Sequence, residues 1–325
     1  MRQRLYRIVI GTVVTCALVF VSAASPRGIG GRVVQVPFDY PTIQSAVSAA
    51  QTGDTVLVAP GVYFENVVVS TSGVRLLGGG DAVLDGTGRT GIGIHVLGTA
   101  AAPVTDVDIA NFEIRNFERG ITLELATDVR VSHNYLHDNR SILPFVAGEG
   151  FGIELLNASA SDVSHNIISG NGIGGIRLHG APFGSSDNKI RHNRMLDNGV
   201  AQATATAGSG IFLTGASNDN RIEHNEITGT NGWGIVLTRP AAAGDPIRGM
   251  LIAHNRAHNN RRAGIAIMGS ATRNTVVYND ARDNNLSGLG PCFQCNLFEF
   301  STGGFAGNLW DKNHGTFNGT DACRP

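Results

Sequence analysis

Five side chains in the first half of the chain belong to the types that move protons and hold anions: His95, Glu124, Glu154, Arg177 and His179. They stand in or beside short apolar alternations that follow a glycine, such as Gly120-Ile-Thr-Leu, Gly152-Ile-Glu-Leu and Gly175-Ile-Arg-Leu. The same pattern continues at Gly210-Ile-Phe-Leu, Gly234-Ile-Val-Leu and Gly264-Ile-Ala-Ile. Alternation of period two marks strands with one buried face. With the isoleucine after each glycine facing the core, the third and fifth positions face out. The third-position column then reads Gly93, Thr122, Glu154, Arg177, Phe212, Val236, Ala266, and the fifth reads His95, Glu124, Leu156, His179, Thr214, Thr238, Met268. Charge and imidazole therefore gather on the early strands, with Thr122, Phe212, Thr214 and Thr238 as further contacts for a ligand. On such a face a carboxylate or imidazole can act as general base, and Arg177 can neutralise an acidic group. Two suitably spaced carboxylates can instead run glycoside hydrolysis. An extended sugar chain is a ligand such a groove could take. The bland alternative is a set of ordinary solvated side chains on an exposed sheet. Expanded segments at 138–150 and 199–209 enter these strands and could wall the same face.

The elements that must position these residues repeat. Val-Ser-His-Asn134, Val-Ser-His-Asn166, Ile-Arg-His-Asn193, Ile-Glu-His-Asn225, Ile-Ala-His-Asn255 and Val-Val-Tyr-Asn279 share one pattern. A second asparagine usually follows five residues later, at Asn139, Asn171, Asn198, Asn260 and Asn284. The glycine starts are 32, 23, 35, 24 and 30 residues apart, a base period in the low twenties with insertions. A coil of that size cannot enclose a core alone and must stack on its neighbours. Stacking places the asparagines roughly 4.8 Å apart, where their amides form a ladder. Helical and leucine-rich repeats lack support, because no helix-compatible runs separate the strands; a propeller needs longer antiparallel units. The histidines before the ladder asparagines (His133, His165, His192, His224, His254, with Tyr278 last) should form a parallel column. Metal ligands must converge on a point, so the column reads as structural and no metal site is assigned.

At the N-terminal end, Thr42 suits a helix cap, with an apolar face at Ile43, Ala46, Val47 and Ala50. A capping helix over about 37–53 would cover the open end of the stack. The C-terminal closing segment, about 291–325, breaks the period at 307–317 and carries Trp310 and Phe317. Before all this, three arginines in 1–7, an apolar run over 8–21 and the small residues Ser22, Ala23 and Ala24 make 1–24 a signal peptide. That leaves 25–325 as one domain, secreted or periplasmic, with no membrane contact after signal removal. A formal net charge of −1 and 16% charged residues offer no field for nucleic acid. In an exported chain Cys292, Cys295 and Cys323 are disulfide candidates. One bond from Cys292 or Cys295 to Cys323 would leave an odd thiol; with His314 the three also have zinc-ligand types, which suit that compartment less well.

Pro41-Thr-Ile-Gln-Ser-Ala-Val, Gly53-Asp-Thr-Val-Leu-Val-Ala-Pro-Gly-Val-Tyr-Phe-Glu-Asn-Val and the Gly-Ile and His-Asn coils resemble the pectin-lyase-like superfamily. More narrowly they resemble secreted parallel-β-helix-repeat proteins, whose repeat is associated with carbohydrate-binding proteins and sugar hydrolases. The resemblance covers nearly the whole mature chain. It implies an all-β, single-stranded right-handed parallel β-helix with an N-terminal capping helix, and a polysaccharide partner. It does not type the reaction. The Gly-His-Gly and paired-aspartate signature of polygalacturonases is missing, as is the aspartate followed by phenylalanine of pectin methylesterases. For the Asp-Pro-His-Asp motif of mannuronan epimerases, Leu136-His137-Asp138 is the nearest approach. The expectation is an extracellular polysaccharide-binding protein, acting as a lyase or glycoside hydrolase on an acidic glycan, monomeric, with calcium left open as cofactor. A non-catalytic β-helix of surface-binding, adhesive or structural type is the rival. A periplasmic protein of copper-enzyme maturation is a weaker third, poorly served by a histidine column and only four methionines.

Overall fold

A strand of three to six residues ending in a corner has few backbone partners of its own, so its amides must pair with the next coil. The computed structural model describes residues 31–88, 90–140, 150–180, 184–200, 208–238, 247–269, 271–286, 296–301 and 307–316. Every strand pair among them is parallel. Nine strands stack into one sheet: Val67–Val69, Ile92–Leu97, Arg119–Glu124, Phe151–Leu156, Gly174–Gly180, Gly208–Gly215, Gly232–Leu237, Ile265–Gly269 and Leu297–Ser301. Opposite them run two series of three-residue strands, such as Arg130–Ser132 and Tyr135–His137, joined at the corner that holds the ladder asparagine. Aliphatic side chains from all three series meet inside, and Ile121, Leu136, Ile153, Ile168, Ile176 and Ile190 are fully buried. The expected all-β parallel solenoid is what forms.

Asparagine ladders stitch the corners. Asn134, Asn166, Asn193, Asn225, Asn255 and Asn279 are at most 2% exposed, and each donates through Nδ2 to Oδ1 of the next at 3.0–3.1 Å, ending on Asn313 at 2.9 Å. The same Oδ1 atoms accept a backbone N–H from the preceding coil, as Asn193 does from Asn166 at 3.0 Å. The second ladder links Asn139, Asn171 and Asn198, and Asn260 with Asn284. A third, not foreseen, links Asn188 to Asn220 and Asn274 to Asn308 at 2.9 and 3.0 Å. The residue before each first-ladder asparagine has a left-handed backbone, φ 53–58° from His133 through His254 and 56° at Tyr278. Histidine tolerates that region better than bulky or β-branched residues do. The rings stack as expected, 5.0–5.1 Å apart.

The repeated glycines have a steric role. A methyl on Gly120 would sit 2.5 Å from the Gly152 carbonyl oxygen and 2.8 Å from Leu136 Cδ2, and one on Gly210 would sit 2.3 Å from Ile227 Cγ2. These positions therefore point into the core, where the long strand approaches the short one too closely for any side chain.

The capping helix is Ile43–Ala49, with Thr42 accepting from the Ser45 amide and Ile43, Ala46 and Val47 buried. The carboxylate of Glu65 adds two acceptors for the Ile43 and Gln44 amides at 2.9 Å each. At the other end one expectation fails: the segment at 307–316 does not break the period. Leu309–Asp311 pairs in register with Thr275–Val277, and Asn308 and Asn313 extend two ladders. Its aromatic signal misled because Trp310 packs on the core while its Nε1 donates to Glu299 at 2.6 Å. Phe317, Cys292, Cys295, Cys323 and residues 1–24 lie outside the described residues.

Replacing Asn193 by alanine strands the Asn166 N–H and the Val163 carbonyl, which accepts from Asn193 Nδ2 at 2.8 Å. At roughly 1–3 kcal/mol for each buried unpaired group, Asn193→Ala should lose about 3 kcal/mol. A urea-unfolding midpoint measures this, with a smaller loss expected for Asn313→Ala on the terminal coil.

Candidate functional site

The outward side of the nine-stranded sheet carries the residues singled out above. By register, one outward column runs His95, Thr122, Glu154, Arg177, Phe212, Val236, Ala266 and Phe298. The next runs Leu97, Glu124, Leu156, His179 and Thr214. Thr238 continues it, its amide donating to the Leu213 carbonyl at 3.0 Å. The expected columns hold except at the first strand. His95 belongs beside Thr122, and Leu97 takes the place assigned to it. Of the two glycines in Gly91-Ile-Gly-Ile, Gly93 is the one that stacks on Gly120, its added methyl meeting that carbonyl at 2.7 Å. The correction shifts His95 by one column and lets its Nε2 meet Glu124 Oε2 at 2.9 Å.

Arg119 is a site residue that period-two reading missed. Strict alternation from Ile121 turns Arg119 inward, but Gly120 also points into the core, so the alternation breaks and Arg119 faces out. Its Nη1 donates to Glu154 Oε2 at 2.9 Å, while Arg177 Nη1 donates to Glu154 Oε1 at 3.1 Å. Glu154 is 2% exposed, so it is a buried carboxylate clamped between two guanidiniums, and the trio carries a net positive charge. The Arg177 guanidinium also lies 5.6 Å from the Phe151 ring centre, and Phe151 packs at 6.3 Å on Phe212. Burial draws Arg177 below its ordinary value, against the pull of Glu154. Arg119 Nε, Arg177 Nε and Thr122 Oγ1 are buried without a hydrogen-bond partner among the described residues. Beside them, burial and then the Arg177 charge push the His179 imidazole below its ordinary value, which keeps it neutral near pH 7.

These groups can attract a carboxylate and accept a proton next to it. They suit a carboxylate pair less well. Glu124 and Glu154 are one strand and two residues apart, roughly 8 Å from strand geometry, a spacing compatible with an inverting pair. Both Glu154 oxygens are already engaged by arginines, however. Past Phe212 the outward column turns apolar: Val236, Ala266 and Phe298 cluster with Trp233 and are buried. Thr122 is fully buried, Thr214 nearly so, and Phe212 and Thr238 are half-buried. On a different sheet, His137 is held between Glu113 at 3.2 Å and Asp138 at 2.9 Å. Among the described residues no group of three or more His, Cys, Asp and Glu could hold a metal ion, and no helix is long and apolar enough to cross a membrane. His314, the fourth member of the zinc-like set, is exposed.

A family model described as right-handed β-helix region matches residues 61–243 and 183–302. No curated protein matches the sequence. Among solved structures, the A-module of mannuronan C-5 epimerase AlgE4 from Azotobacter vinelandii is 15% identical with TM-score 0.60, covering 83% of this chain and 81% of its own. DFA-IIIase from Arthrobacter chlorophenolicus A6 is 12% identical with TM-score 0.55, covering 89% of each chain. A tailspike of the E. coli bacteriophage HK620, solved with a pentasaccharide, is 11% identical with TM-score 0.54, covering 87% of this chain and 53% of its own. Identities this low show a shared fold and nothing finer.

Two measurements test the electrostatics. By NMR, the His179 imidazole should titrate below the ordinary imidazole range and move upward in Arg177→Gln. The fold favours the neutral ring, so its contribution to stability is intact above the ordinary imidazole pKa and lost as pH falls below it. Replacing Glu154 by leucine leaves two half-buried guanidiniums facing each other. That should cost about 3–5 kcal/mol in urea unfolding.

Proposed function

Because this chain belongs to the family of right-handed β-helix proteins, we propose that its nine-stranded face binds an acidic polysaccharide and cleaves it by β-elimination. The observation that carries this reading is the surplus positive charge of Arg119 and Arg177 around Glu154, next to a neutral His179. A uronate carboxylate set against Arg177 would have its charge offset. That makes the proton on the adjacent ring carbon, C5, easier to remove, because the developing enediolate is stabilised by fixed cations. His179 takes that proton. The electron pair forms the C4–C5 double bond, the C4–O bond breaks, and the departing oxygen takes a proton from the imidazolium or from water. Phe212, on the next coil, and Thr238 beyond it are half-buried and offer stacking and hydroxyl contacts to neighbouring rings, whereas Thr122 and Thr214 are buried beneath the face. His95 and Glu124 flank the same face and would contact the chain on its other side.

Two further supports are general. A mannuronan C-5 epimerase module and a tailspike solved with a pentasaccharide share the fold. The basic, apolar and small-residue pattern at 1–24 supports export to where such polymers occur. Hydrolysis is the weaker chemistry here, since it asks Glu154 for an oxygen that two arginines hold.

The assay is a panel of acidic and neutral polysaccharides with the mature protein, with and without calcium, followed by reducing ends and by the ultraviolet absorbance of unsaturated uronates. Both signals are expected on an acidic polymer. Arg177→Ala should lower the rate by roughly a hundredfold or more, the scale of a lost transition-state donor, and His179→Ala should act similarly. Reducing ends without absorbance would mean hydrolysis and turn attention to Glu124. A folded protein silent across the panel would leave a non-catalytic binder.

A further inference from the structure

A cavity of about 310 Å³ opens where the face strands end, beyond Glu124 and Leu156. Leu125 and Asn157, the residues that directly follow those two, both line it and both have a left-handed backbone, φ 50° and 52°. One wall is a column of hydroxyls from successive coils: Thr127, Ser159 and Ser186. Ser159 Oγ lies 3.3 Å from Thr127 Oγ1, and Ser186 Oγ accepts the Asn218 amide at 3.3 Å. Carbon from Ala100, Pro103, Leu125 and Ala126 also lines it. Among the described residues, none of the nine that line it is ionisable.

We infer that this cavity is a subsite for a neutral pyranose ring. The volume is at the small end of the about 300–1,000 Å³ range of ligand pockets. A cavity lined by both a hydroxyl column and apolar carbon complements a sugar ring, which has hydroxyls on its rim and a C–H surface on its face. A carboxylated ring would find no cation among the described lining residues. A purely apolar ligand would leave Thr127 and Ser186, whose hydroxyls act only as acceptors in these bonds, with no acceptor for their protons. The cavity is also tied to the charged face. Asn157 N donates to the His179 carbonyl at 3.1 Å, and Ser185 Oγ donates to the same oxygen at 2.8 Å. At about 3.3 Å per strand residue, the cavity begins within one sugar ring of Glu124 and His179. This inference rests on the polysaccharide reading above and refines it: the glycan carries a neutral residue next to the acidic one, rather than being a homopolymer of uronates.

Titration of isotope-labelled protein with the methyl glycosides of glucose, galactose, mannose and rhamnose, and separately with a uronic acid trisaccharide, separates the two sites. At least one neutral glycoside should give saturable shifts at the amides of Thr127, Ser159 and Ser186. Ala100 is exposed on the rim, so Ala100→Trp should fill the cavity without disturbing the core and weaken that binding by roughly tenfold or more, a loss of about 1.4 kcal/mol. Ser159→Ala combined with Ser186→Ala should weaken it as well, while Arg177→Ala leaves it within about twofold and abolishes trisaccharide binding. Absence of saturable shifts with all four glycosides, or shifts that persist in folded Ala100→Trp, overturns the subsite. Trisaccharide binding indifferent to Arg177→Ala would overturn the face as an acidic site while the neutral subsite stands.

Discussion

The fold depends on one side-chain amide used three ways. Each first-ladder asparagine accepts a backbone N–H from the coil before it, donates to a carbonyl of that same coil, and donates to the amide oxygen of the coil after it. No other side chain of that length offers two donors and an acceptor in one plane. A corner built from three-residue strands exposes backbone groups that no regular ladder reaches, and burying them unpaired would cost more than such a coil can recover from its few aliphatics. With the amide in place, every coil is held in one register relative to the next.

Register is what makes the site. Since each coil is pinned, Thr122, Glu154, Arg177 and Phe212 stand in file, and Glu154 falls between guanidiniums contributed by the coils on either side. A slip of one residue would turn that carboxylate into the aliphatic core. The arginine pair is not a plain gain in stability. Setting two half-buried guanidiniums on one buried carboxylate costs desolvation that a packed aliphatic trio would avoid. The neutral cavity beside it uses the same coils at the point where they leave the sheet.

Much of this was legible in residue order. The His-Asn pairs announced a corner, the Gly-Ile starts announced the long strands, and Thr42 announced the capping helix. Legibility failed where geometry departs from a simple period. Arg119 was hidden because Gly120 and Ile121 both turn inward, which no alternation rule anticipates. His95 was misplaced because two glycines competed for one stacking position. The third asparagine ladder escaped because its column is interrupted: Asn188, Asn220, Asn274 and Asn308 each stand five residues before a ladder position, but Val129, Ser161 and Met250 hold that place on other coils. Trp310 looked like a terminator, since an indole at the end of a repeat gives no hint that its neighbours Asn308 and Asn313 still carry the ladders.

The spacing of the two main ladders has a further consequence. From Asn134 to Asn139, Asn166 to Asn171, Asn193 to Asn198, Asn255 to Asn260 and Asn279 to Asn284 the interval is always five residues, whereas successive glycine starts are 23–35 apart. All the elasticity in length is therefore confined to connections off that five-residue stretch, and the largest of them adjoin the long strands. The molecule behaves as a fixed ruler with adjustable margins. Chain can be gained or lost in those margins at small entropic cost without disturbing a single rung. What flanks the nine-stranded face can thus be remodelled while the scaffold stays intact.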